Sequence, residues 1–130
     1  MSIRESILSA MVVTLSSLCG GRIYRSRKEQ LPTLPAIVIR PESESDDGET
    51  LGSRDINLIV AVDIYARGEI PDQAADSVLE SALSLIDSDA TLGLGSDVQI
   101  MPTRQIEWSI DNYDDVSATL RLQIFYRKFS

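Results

Sequence analysis

The chain contains no histidine, one cysteine, one tryptophan and only two lysines, Lys28 and Lys128. Without histidine, histidine-based catalytic triads and the common histidine-containing zinc sites are excluded. The lone Cys19 allows no intrachain disulfide and fits a reducing compartment. As a nucleophile it would lack an imidazole base, so it is expected to be a small, half-buried residue at a helix end. Neither lysine sits in a motif that would support serine–lysine catalysis. Aromatic residues are only 5% of the chain, which argues against the large aromatic-lined cleft expected of a carboxylate-pair glycosidase. No run approaches the ~20 apolar residues of a membrane span. The start, MSIRESILSAMVVTLSSLCGG, is interrupted by serines and carries Glu5 before its apolar stretch. It therefore reads as an amphipathic helix and not as an export signal, which needs a basic start and a denser apolar core. GLGSD (93–97) lacks the spacing of a phosphate-binding loop and is expected to be a turn.

What is present suits a protein that acts by contact. The chain has 130 residues, 43% apolar and 25% charged, so we expect one domain spanning 1–130, able to bury a core without disulfides or metals. Twenty acids against 12 bases give a formal net charge of −8. DNA-gripping proteins usually carry a basic surface, whereas an acidic one lets DNA pass without sticking.

Hydrophobic periodicity places the elements. Ser2 and Glu5 have capping-box spacing, and Ile3, Ile7, Leu8, Met11, Val12, Leu15 and Leu18 form a helical stripe that ends at Gly20 and Gly21. This predicts a helix over 3–18. RIYR (22–25) reads as a short strand, and AIVIR (36–40) as a second, closed by Pro41. Segment 42–53, ESESDDGETLGS, has five acids, two glycines and almost no apolar residue. It reads as a mobile loop, and its deletion should leave the fold intact. Residues 54–66 alternate as a strand, with Ile56, Leu58, Val60, Val62 and Ile64 on the core face. Pro71 and Asp72 open a second helix, whose stripe Ala75, Val78, Leu79, Ala82, Leu83 and Ile86 runs to Asp87. DVQIM reads as an irregular strand broken at Pro102. Ile106, Trp108 and Ile110 share one face of the strand after it. A turn at 111–115 then leads into a last strand over 116–128, forming a hairpin. The order α-β-β-β-α-β-β predicts an α+β fold with a mainly antiparallel or mixed sheet and helices on one face.

Long strands raise a geometric question. Twelve or thirteen extended residues reach roughly 40 Å, against a radius of gyration near ~14 Å for such a domain. The strands must bend or project. Their second face carries Ile59, Tyr65, Arg121 and Phe125, and either contacts another chain or lies beneath the first helix. Arg22, Arg25, Arg27 and Lys28 form a basic patch, read either as a partner for a neighbouring subunit's acids or as a solvated edge. The acids Glu42, Glu44, Asp46, Asp47 and Glu49 form one cluster. Asp111, Asp114 and Asp115 form another. Both lack EF-hand spacing; they would hold Mg²⁺ only weakly, and solvated loops are the simpler reading. No cofactor and no catalytic residue is expected.

Four features together carry a resemblance. The N-terminal helix leads through a short basic strand to LPAIVIRPESE. The long strand INLIVAVDIYARGEIPD runs directly into a helix through Pro71 and Asp72. That helix is amphipathic and ends at Asp87. A terminal hairpin has an aspartate-rich turn before SATLRLQIFYR. In this order of elements the chain resembles the tail terminator proteins of long, non-contractile-tailed bacteriophages, the lambda-type minor tail protein U family. The resemblance covers nearly the whole chain but includes no invariant catalytic motif. It implies a structural protein of the virion tail, assembled in the bacterial host cytoplasm. Such a protein forms a six-membered ring on the tail-tube protein, stops tube growth and accepts the neck proteins of the head, while DNA passes through its hole. In that picture 42–53 is the first candidate for the tube-facing contact, and the patches named above are candidate protein interfaces. A neck or head–tail joining protein, a stand-alone binding module and an enzyme with an acidic metal site are the alternatives.

Overall fold

The computed structural model describes residues 2–26, 33–50, 52–110 and 115–129, with side chains except at 47–50 and 129. Helix α1 spans Ile3–Thr14, strand β1 Ile23–Arg25, β2 Ala36–Thr50 and β3 Ser53–Arg67. Helix α2 spans Pro71–Asp87, followed by β4 Val98–Ile110 and β5 Asp115–Phe129. The strands form one mixed sheet in the order β1-β2-β3-β5-β4. Only β1 runs parallel to its neighbour, at Ile23–Arg25 against Ile37–Ile39; every other pairing is antiparallel. The chain is therefore α+β with the expected element order.

Cross-strand register explains the core. Ile37, Ile64 and Ala118 form one row, and Ile39, Val62 and Leu120 the next. Below them come Val60 beside Leu122, Leu58 beside Ile124 and Ile56 beside Tyr126. All of these side chains are buried, and they form one hydrophobic cluster with Ile7, Leu8, Met11 and Leu15 of α1 and Ala75, Leu79, Ala82 and Ile86 of α2. The exception is Ala118, which is buried but lies outside that cluster. Both helices thus cover the same face. Helix α1 lies over the β1–β2 side, and α2 lies over β3 and β5. The period of two in the strands and of about 3.6 in the helices is satisfied by this one interface.

Three local expectations are corrected. The first helix ends at Thr14, not at 18. Leu15 N–H still donates to the Met11 carbonyl, but the chain then tightens into a 3₁₀ turn at Cys19–Gly21, where Gly20 has φ +62°. Leu15 and Leu18 stay on the buried side through this turn, so apolar spacing overstated the helix. Next, the break expected at Pro102 is a register shift between Ile100 and Arg104 inside one continuous β4, on an outer strand where proline removes no needed donor. The turn over 111–114 lies outside the described residues, whereas Asp115 is already in β5, paired with Arg67.

The largest correction concerns 42–53. Residues 42–50 are not a loop; they continue β2 to Thr50, paired along β3 as far as Thr50 opposite Ser53. Strand β1 covers only Ile37–Ile39, so from Arg40 onward β2 is an open edge, which tolerates Pro41 and the register shift beside it. Gly52 supplies the left-handed backbone, φ +83°, at the turn. The acids are compatible with a strand because each described one meets an arginine. Glu42 pairs with Arg121, Glu44 with Arg4 and Asp46 with Arg54. Two of these partners are 40 and 79 residues away in sequence, so a local reading counts unneutralised charge where the fold has ion pairs. With this segment in the sheet, its removal is now expected to disturb the fold and not to spare it.

Candidate functional site

Among the described residues no helix covers the sheet face away from α1 and α2. Helix α1 shares the other face with α2, so the alternative that it shields Ile59, Tyr65 and Phe125 is excluded; all three are half-buried. Around them lies a network of ion pairs and hydrogen bonds. Arg40 Nε donates to Asp63 Oδ2 at 2.8 Å, and Thr119 Oγ1 donates to Asp63 Oδ1 at 2.7 Å. Arg121 Nε donates to both oxygens of Glu42 at 2.9 Å, and its Nη1 donates to Glu107 Oε2 at 2.7 Å. Gln123 Nε2 donates to Asn57 Oδ1, and Arg127 to Asp55. The guanidinium pKa values of Arg121 and Arg40 are raised further by these carboxylates. Exposed pairs of this kind contribute about 0–1 kcal/mol each. They do more to hold a polar surface in place, with Ala36, Val38 and Ala61 buried between the charges. Asp63 is the residue that sequence reasoning passed over. An acid inside the run INLIVAVDIYA was the available signal, but Arg40 and Thr119 become its partners only through strand pairing.

At the opposite end, on the core face, Glu44 links α1 to the sheet. Arg4 holds it with two bonds of 2.8 and 2.6 Å, and Tyr126 Oη donates to it at 2.7 Å. The Arg4 guanidinium lowers the Glu44 pKa, with the Tyr126 hydroxyl adding to the effect. Burial, reinforced by the Glu44 carboxylate, pushes the Tyr126 phenol up to about 12. Glu44 therefore contributes stability that is complete above the unfolded carboxylate range and is lost as pH falls through its depressed folded value. Tyr126 contributes in the other sense: its share is complete below pH ~10 and is lost as pH rises toward 12. Urea midpoints across pH should decline at both ends. In Glu44→Gln the decline at the acid end should be shallower; an unchanged acid limb would show that Glu44 carries none of it.

The remaining sequence candidates are dispersed. Ser2 caps α1 by accepting from the Glu5 N–H, but the Glu5 carboxylate holds Arg25 through two bonds of 3.0 Å. Arg25 is thus engaged within the chain, and its hydrogen bonds to the carboxylate lower the Glu5 pKa. Arg22 Nε donates to the Pro35 carbonyl, next to the cis Leu34–Pro35 peptide. Arg27 and Lys28 lie outside the described residues, as do Asp111 and Asp114; the side chains of Asp47 and Glu49 are likewise not described. Asp115 bonds Arg67 at 2.6 and 3.0 Å. Among the described residues no three acidic or thiol side chains converge as a cation site would need. Arginine pairs with Glu42, Glu44, Asp46 and Asp115. Cys19 is half-buried at the 3₁₀ turn, and burial raises its pKa, away from a reactive thiolate. No described helix is long and apolar enough to cross a membrane.

One feature was not singled out from sequence. Ile106, Trp108 and Ile110 continue the core rows onto β4, yet they are 38%, 45% and 82% exposed. Helix α2 lies over β3 and β5 and reaches β4 through Asp87, which Arg104 holds; Val98 and Ile100 are buried, while the Ile106–Ile110 half of the strand is exposed. Trp108, Ile110 and Val116 line a groove of about 660 Å³ with Pro71, Asp72 and Asp76 at the start of α2. The signal was present as the only tryptophan, combined with acids at 72, 76 and 80 on one side of a helix.

No protein-family model matches the chain, and no curated protein matches it. Among solved structures it is similar to a chain in the virion of a native gene transfer agent (GTA) particle, with a TM-score of 0.64 over 94% of this chain and 95% of that one, at 11% identity. At that identity the likeness is one of fold: this α+β sheet with its two helices is an architecture also present in a virion particle.

Proposed function

We propose that this chain is a non-enzymatic virion assembly protein of a phage-type particle. It forms a ring of copies on the end of the tail tube, ends tube polymerisation and presents the surface on which the head's neck proteins dock. The observation that carries this reading is the near-complete fold likeness to a chain of a virion particle. It supports the resemblance already drawn from LPAIVIRPESE, INLIVAVDIYARGEIPD and SATLRLQIFYR. The uncovered polar face and the open groove are surfaces that such a role requires, and the acidic net charge suits a hole through which DNA passes without sticking. A neck or head–tail joining position is the second reading, since the same likeness supports it without distinguishing places along the particle.

Tube growth tests it. Purified tail-tube protein polymerised with this chain should give shorter tubes bearing a terminal ring in electron micrographs. Removing residues 47–52, which shortens the β2–β3 tip but retains the Asp46–Ile56 pair and all above it, should reduce capping at least several-fold if the tip meets the tube. Tubes of unchanged length with bare ends in the presence of the full chain would refute the capping role.

A further inference from the structure

Strand β4 is an outer strand, paired with β5 alone among the described strands. Alternate N–H and C=O groups along its other side therefore have no partner in the sheet. Its two halves differ. Over Ile100–Arg104 a register shift and Pro102 interrupt the edge, a usual protection against further strand pairing. From Arg104 to Ile110 the ladder to β5 is regular, with no proline, lysine or bulge. This half carries Ile106, Trp108 and Ile110, all exposed, on the helix-covered face. Beside it α2 contributes Asp72 and Asp76 to the groove floored by Trp108, Ile110 and Val116. Helix α2 contains no basic residue, and neither carboxylate has an ion-pair partner among the described residues.

We infer that the Arg104–Ile110 half of β4 receives an extended, basic segment of another protein as an added strand. Each part of the surface selects one property of the occupant. The unpaired edge selects an extended backbone. Side chains of an added strand alternate between faces, so every second one falls beside the Trp108–Ile110 strip. An arginine or lysine there satisfies both parts of the groove. Its aliphatic stem covers the apolar floor, and its charged head reaches Asp72 and Asp76. Trp108 adds an aromatic surface that favours a cation. A second copy of this chain is a poorer occupant. Every described arginine except Arg22 already bonds a carboxylate of its own chain, and Arg22 is half-buried and gives its Nε to Pro35. The formal net charge of −8 also sets copies against each other. This inference goes beyond the capping role: it gives a partner to a surface that the ring reading leaves unassigned, and its test needs neither tube nor ring.

The single tryptophan reports on the groove without a label. The probe is an end-blocked hexapeptide of alternating threonine and arginine, titrated into the full chain. Trp108 emission should shift to the blue and lose accessibility to acrylamide, and both changes should saturate. Asp72→Asn/Asp76→Asn and Ile110→Ser, all at exposed positions, should each weaken the peptide about tenfold or more. Glu80→Gln, an exposed acid of α2 outside the groove lining, should leave its affinity within about twofold. The same peptide methylated at every backbone nitrogen keeps its charge but cannot extend the sheet, and should bind about tenfold more weakly or not at all. A wild-type chain that shows no saturable change at millimolar peptide would overturn the inference. Equal binding to the wild type and to Asp72→Asn/Asp76→Asn, or equal binding of the methylated peptide, would do the same. Trp108 burial that rises with protein concentration in the absence of peptide, alongside faster sedimentation, would hand the groove to a second copy and also overturn it. Tube length and terminal rings are read separately, so the capping role stands or falls on its own.

Discussion

Deleting residues 42–53 should abolish the cooperative fold. Although this segment is the most polar stretch of the chain, it forms the outer partner of the lower half of β3. Its removal exposes one hydrogen-bonding side of that half and joins Pro41 to Arg54, while Pro41 belongs opposite Val60. Six residues of β3 would have to become the connection, lifting Ile56 and Leu58 out of the core. Each buried aliphatic side chain contributes roughly 1.5–3 kcal/mol. The deletion also frees Arg121, Arg4 and Tyr126 from Glu42 and Glu44. Against a total stability of about 5–15 kcal/mol, these losses together are close to the whole. Urea denaturation followed by circular dichroism should show a broad, non-cooperative loss of signal or none. A sharp transition within about 1 kcal/mol of the wild type would mean that the segment is dispensable after all. Removing only 47–52 leaves every core row in place, so the two deletions separate a folding role from a docking role.

Leu120→Ala is expected to cost about 2–5 kcal/mol, and Ile110→Ala less than about 0.5 kcal/mol. Both residues lie on the same face of the terminal hairpin, one on each strand. Leu120 is fully buried in the row Ile39–Val62–Leu120, whereas Ile110 is 82% exposed beyond α2. Truncating Leu120 removes its transfer energy and leaves a cavity beneath rigid sheet neighbours. The midpoint of urea unfolding should fall at constant slope for Leu120→Ala and stay in place for Ile110→Ala. Equal effects would show that the edge of β4 is covered in the free chain.

These pairs show where periodicity stops being informative. Alternation assigned Ile106, Trp108 and Ile110 to one face as correctly as Leu120, Leu122 and Ile124. It carried no information on which part of that face a helix would cover. Helix α2 is bounded by Pro71 and Asp87, and those bounds were legible from the chain. Its lateral position, chiefly over β3 and β5, was not legible, because it follows from how the two helices divide one face of the sheet. The charged residues went astray for a related reason. Glu42, Glu44 and Asp46 signal a loop when counted along the chain and a strand when counted with Arg121, Arg4 and Arg54.

From its own residues the chain determined the α-β-β-β-α-β-β order, the core faces of its strands and the extent of the second helix. Those properties depend on spacings of a few residues and on composition, which local sequence records in full. Only the tertiary structure decided which strands each helix covers, that the acidic segment is strand, that Asp63 is held by Arg40 and Thr119, and that the β4 edge beside the start of α2 is left apolar and acidic. Each of these depends on partners tens of residues apart, brought together by strand register and helix placement.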